Sequence, residues 1–352
     1  MKSDERRLQI LEHIVDLYIK TGEPVGSAAV CSNLNYIVSS ATVRNDMVEL
    51  EKLGFLEQPH TSAGRVPTYI GFRMYINRLM KPSDLSEEMK EKIDALLNED
   101  TSSISAVMEN AVTALSEVTG LAAVSTHNPK FTVISKVEVI PTGRRLYAVL
   151  LITSSGKIKN KICRMQFDIT DEQIEFFENI INENLKGVAV DSLTPKTLKN
   201  LSAAMGNYML SLSPLLYTLY EISDEISRKQ VNLKGENKLL KYDGLRAEEL
   251  VEFLSTKDQL ENILSGAFSG INVVFGKEND TFAIGNSSLI VSKYGNEEPF
   301  GSFGVIGPIR LDYQKIIPYV SYFSKSVTTI INNMLNEIKE GEFDDERTAD
   351  NK

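Results

Sequence analysis

This sequence predicts a mixed α/β chain of several domains with a helical head, and three observations carry that expectation. Its 352 residues exceed what one core usually serves, so two or three domains of roughly 100 to 200 residues are expected. Apolar spacing is helical over the first fifty residues, β-rich from about 131, helical again from about 171, and ends in a second β group and a helix. Composition is ordinary for a globular protein, because 42% hydrophobic and 24% charged residues exclude a disordered chain, a collagen or a coiled-coil rod.

Taken in order, Leu8, Leu11, Val15 and Tyr18 put one apolar stripe on a helix between Glu5 and Lys20, ended by Gly22 and Pro24. A second helix is predicted from Ser27 to about Asn33, capped by Ser27. The third starts after Ser39 and Ser40. Its Val43, Met47 and Leu50 share one face, while Ala41, Asn45 and Lys52 lie opposite, flanked by Thr42 and Arg44. Phe55 to Gln58 then read as a strand, Pro59 to Gly64 as a tight loop, and Arg65 to Pro67 as a returning edge strand.

This is the order of an N-terminal winged helix-turn-helix, whose recognition helix enters the major groove. Candidate DNA-binding residues are Ser40, Thr42, Arg44, Asn45 and Lys52 on the third helix, with His60, Thr61, Ser62 and Arg65 on the wing. Arg forks onto guanine, Asn pairs with adenine, and Ser or Thr donates to phosphate. A wing cation can follow the backbone or enter a narrow minor groove. Taken alone, three helices with a polar third face also occur in protein-interaction domains, and a hairpin of this composition also serves as a solvated loop.

Lys81, Pro82 and Ser83 mark the first boundary, giving a head of residues 1–81. Helices are predicted at 87–97 and 104–118, followed by an antiparallel meander at 131–140, 146–153 and 157–166. A mostly helical insertion is expected at 171–266, with one β-like piece at 231–240. The second β group covers 271–275, 287–294 and 300–306, before a helix from Pro318 to about Ile338. The body is thus expected in two segments, 82–170 and 267–338, and the charged end, 339–352, as a disordered acidic tail.

Within the insertion, Tyr208, Met209, Leu212, Leu215, Leu216 and Leu219 are too dense for one helix face. Such a helix is either buried in a large core or pressed against another copy of itself. We read these six residues as a homodimer interface, with internal core as the alternative.

Charge is uneven: residues 1–81 hold ten Lys or Arg against nine Asp or Glu, the remainder 28 against 39. That suits a near-neutral head that meets an anion and an acidic body that does not. The amino terminus lacks an apolar signal region and no apolar run approaches ~20 residues, so a cytoplasmic protein without a membrane span is expected. Cys31 and Cys163 are far apart, and His13, His60 and His127 have no ligand-spaced neighbours, so no disulfide framework or metal site is expected. The common nucleotide-binding and hydrolase motifs are absent, which predicts no catalytic residues and no cofactor. The rival function is an enzyme or ligand-binding protein whose helical amino terminus is incidental.

Three stretches carry a family resemblance: Ser39-Ser-Ala-Thr-Val-Arg-Asn-Asp-Met, Leu50-Glu-Lys-Leu-Gly-Phe-Leu, and Gln58-Pro-His-Thr-Ser-Ala-Gly-Arg-Val-Pro-Thr-Tyr-Ile-Gly-Phe-Arg. They resemble the HrcA family of bacterial heat-inducible transcription repressors, nearly continuously from Pro24 to Tyr75. Phe275-Gly-Lys-Glu-Asn and Gly304-Val-Ile-Gly-Pro-Ile-Arg-Leu-Asp-Tyr resemble two further family motifs, with Phe275, Ile309 and Leu311 departing from the usual Ile, Thr and Met. The similarity covers about residues 1 to 335. It implies a winged-helix head, a GAF-like α+β body and an inserted dimerisation module. It also implies a dimer on the inverted-repeat CIRCE operator of chaperonin and Hsp70-type operons, helped by a GroEL-type chaperonin. A GAF-like body leaves a small-molecule effector as the alternative mode of regulation.

Overall fold

Three amphipathic helices open the chain. In the computed structural model, residues 3–60, 63–127, 132–154, 156–227, 231–241, 257–266, 270–276, 286–296 and 299–349 are described. α1 (Ser3–Thr21) turns Ile10, Leu11, Ile14 and Val15 inward. Leu8 and Tyr18 sit half-buried at the margins of that stripe. α2 (Ser27–Asn33) starts after Gly26 with no capping side chain; Ser27, expected as the cap, instead shares a 2.8 Å hydroxyl bond with Ser40. α3 (Ser40–Lys52) is capped by Ser39, whose Oγ accepts from the Thr42 N–H. The strands β1 (Leu56–Glu57) and β2 (Val66–Pro67) pair antiparallel. α4 (Tyr69–Met74) follows and runs into a single π turn over Tyr75–Leu79.

Beyond the linker, α5 (Glu87–Leu97) and α6 (Ile104–Thr119) lead into β3 (Ala122–His127), a strand the sequence reading missed. It is an interior strand of a five-stranded antiparallel sheet of order β7-β3-β10-β9-β8, made with β7 (Val231–Lys234), β8 (Ile271–Phe275), β9 (Ser287–Gly295) and β10 (Pro299–Pro308). One face of this sheet packs on α6 and on the last helix, α11 (Tyr313–Ala349). The other packs on α10 (Lys257–Ser265) and on a short 3-10 turn at Glu236–Lys241.

Since β3 and β7 lie side by side, with Ala123 opposite Lys234 and Thr126 opposite Val231, everything between His127 and Val231 is inserted into the sheet. This corrects the expected insertion limits of 171–266. The meander β4 (Ile134–Gly143), β5 (Leu146–Thr153) and β6 (Ile158–Arg164) forms its own sheet. It packs on α7 (Asp171–Leu185) and α9 (Met209–Ser227), with α8 (Pro195–Ala204) against both helices. Tyr147, Val149 and Leu151 share one core with Phe177, Ile181, Leu215 and Leu219. Alternating apolar residues identify a strand, but they do not say which apolar face it meets, and here the nearest helices in sequence win. α7 also closes the free edge of β4. Asn182 Oδ1 and Glu178 Oε1 accept the Val137 and Val139 N–H groups at 2.8 and 2.6 Å, which blocks edge pairing.

The dimer residues read from sequence need correction. Leu212, Leu215, Leu216 and Leu219 are at most 3% exposed within a single chain, so they are internal core. α9 is apolar nearly all round because the sheet, α8 and the Val190–Ser192 turn all pack against it. Tyr208 is half-exposed, its ring 5.0 Å from Phe176, and the Met209 side chain lies outside the described residues.

Head and body share one core, an apolar cluster running without a break from Ile10 in α1 to Ile331 in α11. At the seam Phe72 lies 6.2 Å from Phe275 and 6.0 Å from Tyr313, ring to ring. Arg73 lies over the Phe275 ring and donates to the Val273 carbonyl. The Tyr75 hydroxyl donates to Asp16 at 2.5 Å and accepts from Gln314 at 2.7 Å, and burial, more than the Asp16 carboxylate, pushes its pKa well up.

α11 starts at Tyr313, ahead of the predicted Pro318, so the proline is inside it. A proline there lacks the N–H that would reach the Gln314 carbonyl, and the Ser83 N–H of the linker takes that carbonyl at 2.9 Å. The tail expected to be disordered from 339 continues α11 as far as Ala349, because Glu, Lys and Arg are good helix formers. Among the described residues no helix is long and apolar enough to cross a membrane.

If Leu215 is core, Leu215→Ala should lower the unfolding free energy by about 2 to 5 kcal/mol in urea titrations. A change below about 0.5 kcal/mol would place the side chain outside the core.

Candidate nucleic-acid interface

α3 has an apolar underside, Val43, Met47 and Leu50, interrupted by one carboxylate, Asp46, itself only 4% exposed. A buried carboxylate needs cationic partners, and α1 supplies two. Arg6 donates to both oxygens, Nε at 2.6 Å and Nη2 at 3.1 Å, while Arg7 Nε lies 3.5 Å from Oδ1. The hydrogen bond to Asp46 raises the Arg6 pKa, keeping it a cation. α3 is therefore fixed from behind by charge as well as by packing. The sequence reading missed these three residues, although Asp46 falls in the i, i+3, i+4 row of Val43, Met47 and Leu50.

The opposite face of α3 presents Ser40, Ala41, Arg44, Asn45 and Lys52 to solvent. Arg44 and Asn45 make no side-chain hydrogen bond or ion pair among the described residues. The remaining candidates are partly engaged. Ser40 is bonded to Ser27, and Thr42 Oγ1 lies 2.8 Å from the capping Ser39 Oγ. Lys52 pairs with Glu49 at 2.8 Å, an exposed pair that solvent screens and that lowers the Glu49 pKa.

Arg65 departs from expectation. Its side chain is only 15% exposed and forks onto Glu51, with Nε at 3.0 Å and Nη2 at 2.9 Å from Oε2. Its backbone exchanges two 2.9 Å hydrogen bonds with Val25. Gly64, beside it, has Val25 so close that a Cβ would stand 2.3 Å from the Val25 carbonyl oxygen. Arg65 thus clamps the hairpin to α3 and to the strand-like segment before α2, and is not a free cation at the tip. His60 is exposed near the tip, while Thr61 and Ser62 lie outside the described residues. A groove of about 520 Å³ runs between α2, α3 and the hairpin, lined by Ser27, Arg44, Gln58 and Arg65 among others.

The surface is thus a fixed helix with two unengaged side chains suited to base edges, bordered by a clamped hairpin. Among the described residues no cluster of three His, Cys, Asp or Glu could hold a metal.

Comparison with known proteins agrees over almost the whole length. A family profile described as the HrcA protein C terminal domain matches residues 105–317. The heat-inducible transcription repressor HrcA of Acetivibrio thermocellus is 32% identical over 343 residues, 95% of this chain and 98% of that protein. The HrcA of Clostridium acetobutylicum is 33% identical over 348 residues, 96% and 99% of the two chains.

The chain belongs to the HrcA family.

It is a heat-inducible transcription repressor and not an enzyme. A solved structure described as a hypothetical protein at 2.2 Å resolution is 25% identical, with a TM-score of 0.59, covering 94% of this HrcA-family chain and 98% of that one.

The Asp46 clamp and the outward pair separate on mutation. Asp46→Ala removes charge-assisted hydrogen bonds to a buried acceptor and should cost about 1 to 2 kcal/mol of stability, at the low end because Arg6 is partly solvated. Arg44→Ala should leave stability within about 0.5 kcal/mol. Paired denaturation curves test both, and equal losses would remove the distinction.

Proposed function

We propose that the head is a winged helix that binds double-stranded DNA, with α3 in the major groove and Arg44 and Asn45 on base edges. The observation that carries this reading is the contrast on one helix: an inward carboxylate locked by two arginines, and an outward Arg and Asn with no protein partner among the described residues. Ser40, Thr42 and Lys52, the hydroxyls of Thr61 and Ser62, and His60 would serve phosphate contacts. Arg65 would act by holding the hairpin. In this reading the five-stranded sheet and its helices are a GAF-like body, and the repressor acts in the cytoplasm on the CIRCE inverted repeat of chaperonin and Hsp70-type operons.

One head reads only a few base pairs, so genomic selectivity calls for a two-fold dimer on two half-sites. We assign dimerisation to the insertion, through the outer face of its sheet in place of the α9 leucines. Ile140, Ile158 and Ile162 are 45, 57 and 54% exposed there; Ala148 of β5 lies between Ile140 and Ile162 in register, and Ile152 lies opposite Ile158. Exposed isoleucines gathered on one sheet face mark an interaction surface.

The reading extends to a GroEL-type chaperonin that returns opened repressor to its binding form. The apolar payload from Leu201 to Tyr220 is mostly buried, so an opened insertion would offer it for capture. Operator binding should rise when chaperonin is added and fall again when an unfolded competitor is included. Equal active fractions in all three mixtures would refute that dependence.

Two substitutions test the core of the proposal. Arg44→Ala should lose about 1 to 3 kcal/mol on the operator and relax discrimination at one base position, measured by competition binding at fixed salt. Ile162→Glu should shift the sedimentation profile toward monomer and weaken operator binding. A fully dimeric Ile162→Glu variant would move the interface off this face.

A further inference from the structure

Gly22 ends α1 in the left-handed region, at φ 73°, its N–H returning to the Tyr18 carbonyl at 2.9 Å. A Cβ at this glycine would stand 2.0 Å from Nη1 of Arg310 and 2.8 Å from its Cζ. The guanidinium therefore fills the space that a glycine alone leaves open. It arrives from the turn between β10 and α11, at the other end of the sequence. Within the body the Arg310 side chain makes no hydrogen bond or ion pair among the described residues.

The group the guanidinium lies against is the end of α1. The last carbonyls of a helix carry partial negative charge and favour a cation. Burial raises the Tyr18 pKa and the Arg310 guanidinium opposes that rise, so the cation lies near the last turn of α1. The same α1 carries, near its start, the Arg6 and Arg7 that grip Asp46 beneath α3. The turn after β10 thus bears on α1, and α1 bears on the recognition face. At the aromatic seam the rings meet tilted or edge-on at 6.0 to 6.5 Å, and the Gln314–Tyr75 and Arg73–Val273 hydrogen bonds cross it as well. Arg310 adds one more head-to-body contact, at the end of α1, where it has leverage on the rotation of the head.

We propose that Arg310 is a positioning residue for operator recognition: it fixes the rotation of the head on the body, so that the two α3 helices of a dimer fit half-sites at one spacing. This rests on the two-half-site reading above and adds to it the residue that sets the spacing.

The test uses the full chain and its Arg310→Met and Arg310→Lys variants. The probes are synthetic duplexes carrying two CIRCE half-sites at the native spacer, duplexes with the spacer changed by one or two base pairs, and a duplex with a single half-site. Arg310→Met should lose about tenfold on the native spacer and keep no more than about twofold preference over the altered ones, because avidity from linked heads depends on geometry. Its single half-site affinity should stay within about twofold of the parent, since no base contact is touched. Arg310→Lys, which keeps the charge at the helix end, should restore part of the spacing preference, and it decides by the same ratio if the Met variant fails to fold. The inference falls if Arg310→Met keeps the parental preference, or if half-site and full-site affinity drop in parallel. A parent chain that binds the operator without any spacing preference would overturn the two-half-site reading, and the inference with it.

Discussion

Phe72, Phe275 and Tyr313 come from three distant parts of the sequence and meet where neither the head nor the sheet would bury them alone. Most of the architecture leans on that meeting. Each ring offers an area whose exposure would cost several kcal/mol across the three, so the head is packed as an outer layer of the body and not as a bead on a string. The linker Lys81 to Ser86 is a boundary in sequence only, since the apolar cluster passes across it. A cut there would leave the aromatic faces bare on both sides.

The helices of the head and their polarity were legible because the signals are local. Val43, Met47 and Leu50 recur at helical spacing, Ser39 and Thr68 sit where caps belong, and Gly22 and Gly54 follow α1 and α3. Arg44 and Asn45 are exposed as the pattern required. Arg65 was misread because composition cannot distinguish a cation reaching for a ligand from one neutralised by a carboxylate fourteen residues earlier. Burial of the charge and its partner is a property of the folded pair, visible only once the hairpin lies against α3.

The insertion shows the complementary difficulty. Its strands and helices were found, but their allegiance was not, because the evidence for it is a pairing between β3 and β7 across more than a hundred intervening residues and β3 itself is a short run after Gly120. The dense leucines of α9 were ambiguous for a related reason. A helix wrapped on several sides by its own domain and a helix wrapped by a twin have the same one-dimensional pattern, and only the partners of Leu212 and Leu219 resolve it.

Proline 318 leaves a carbonyl open in a long helix, and the linker fills it with a main-chain group, Ser83 N–H on Gln314 O. Any amino acid with an amide hydrogen could make that bond, so position 83 is free to drift in side chain and closed to proline alone. The constraint is carried by position 318, where a return to an ordinary helix former would supply an internal donor and set it competing with the linker for one acceptor. A family can therefore vary the wording of this linker widely while keeping its attachment, and the trace of that attachment is a single imino acid far downstream.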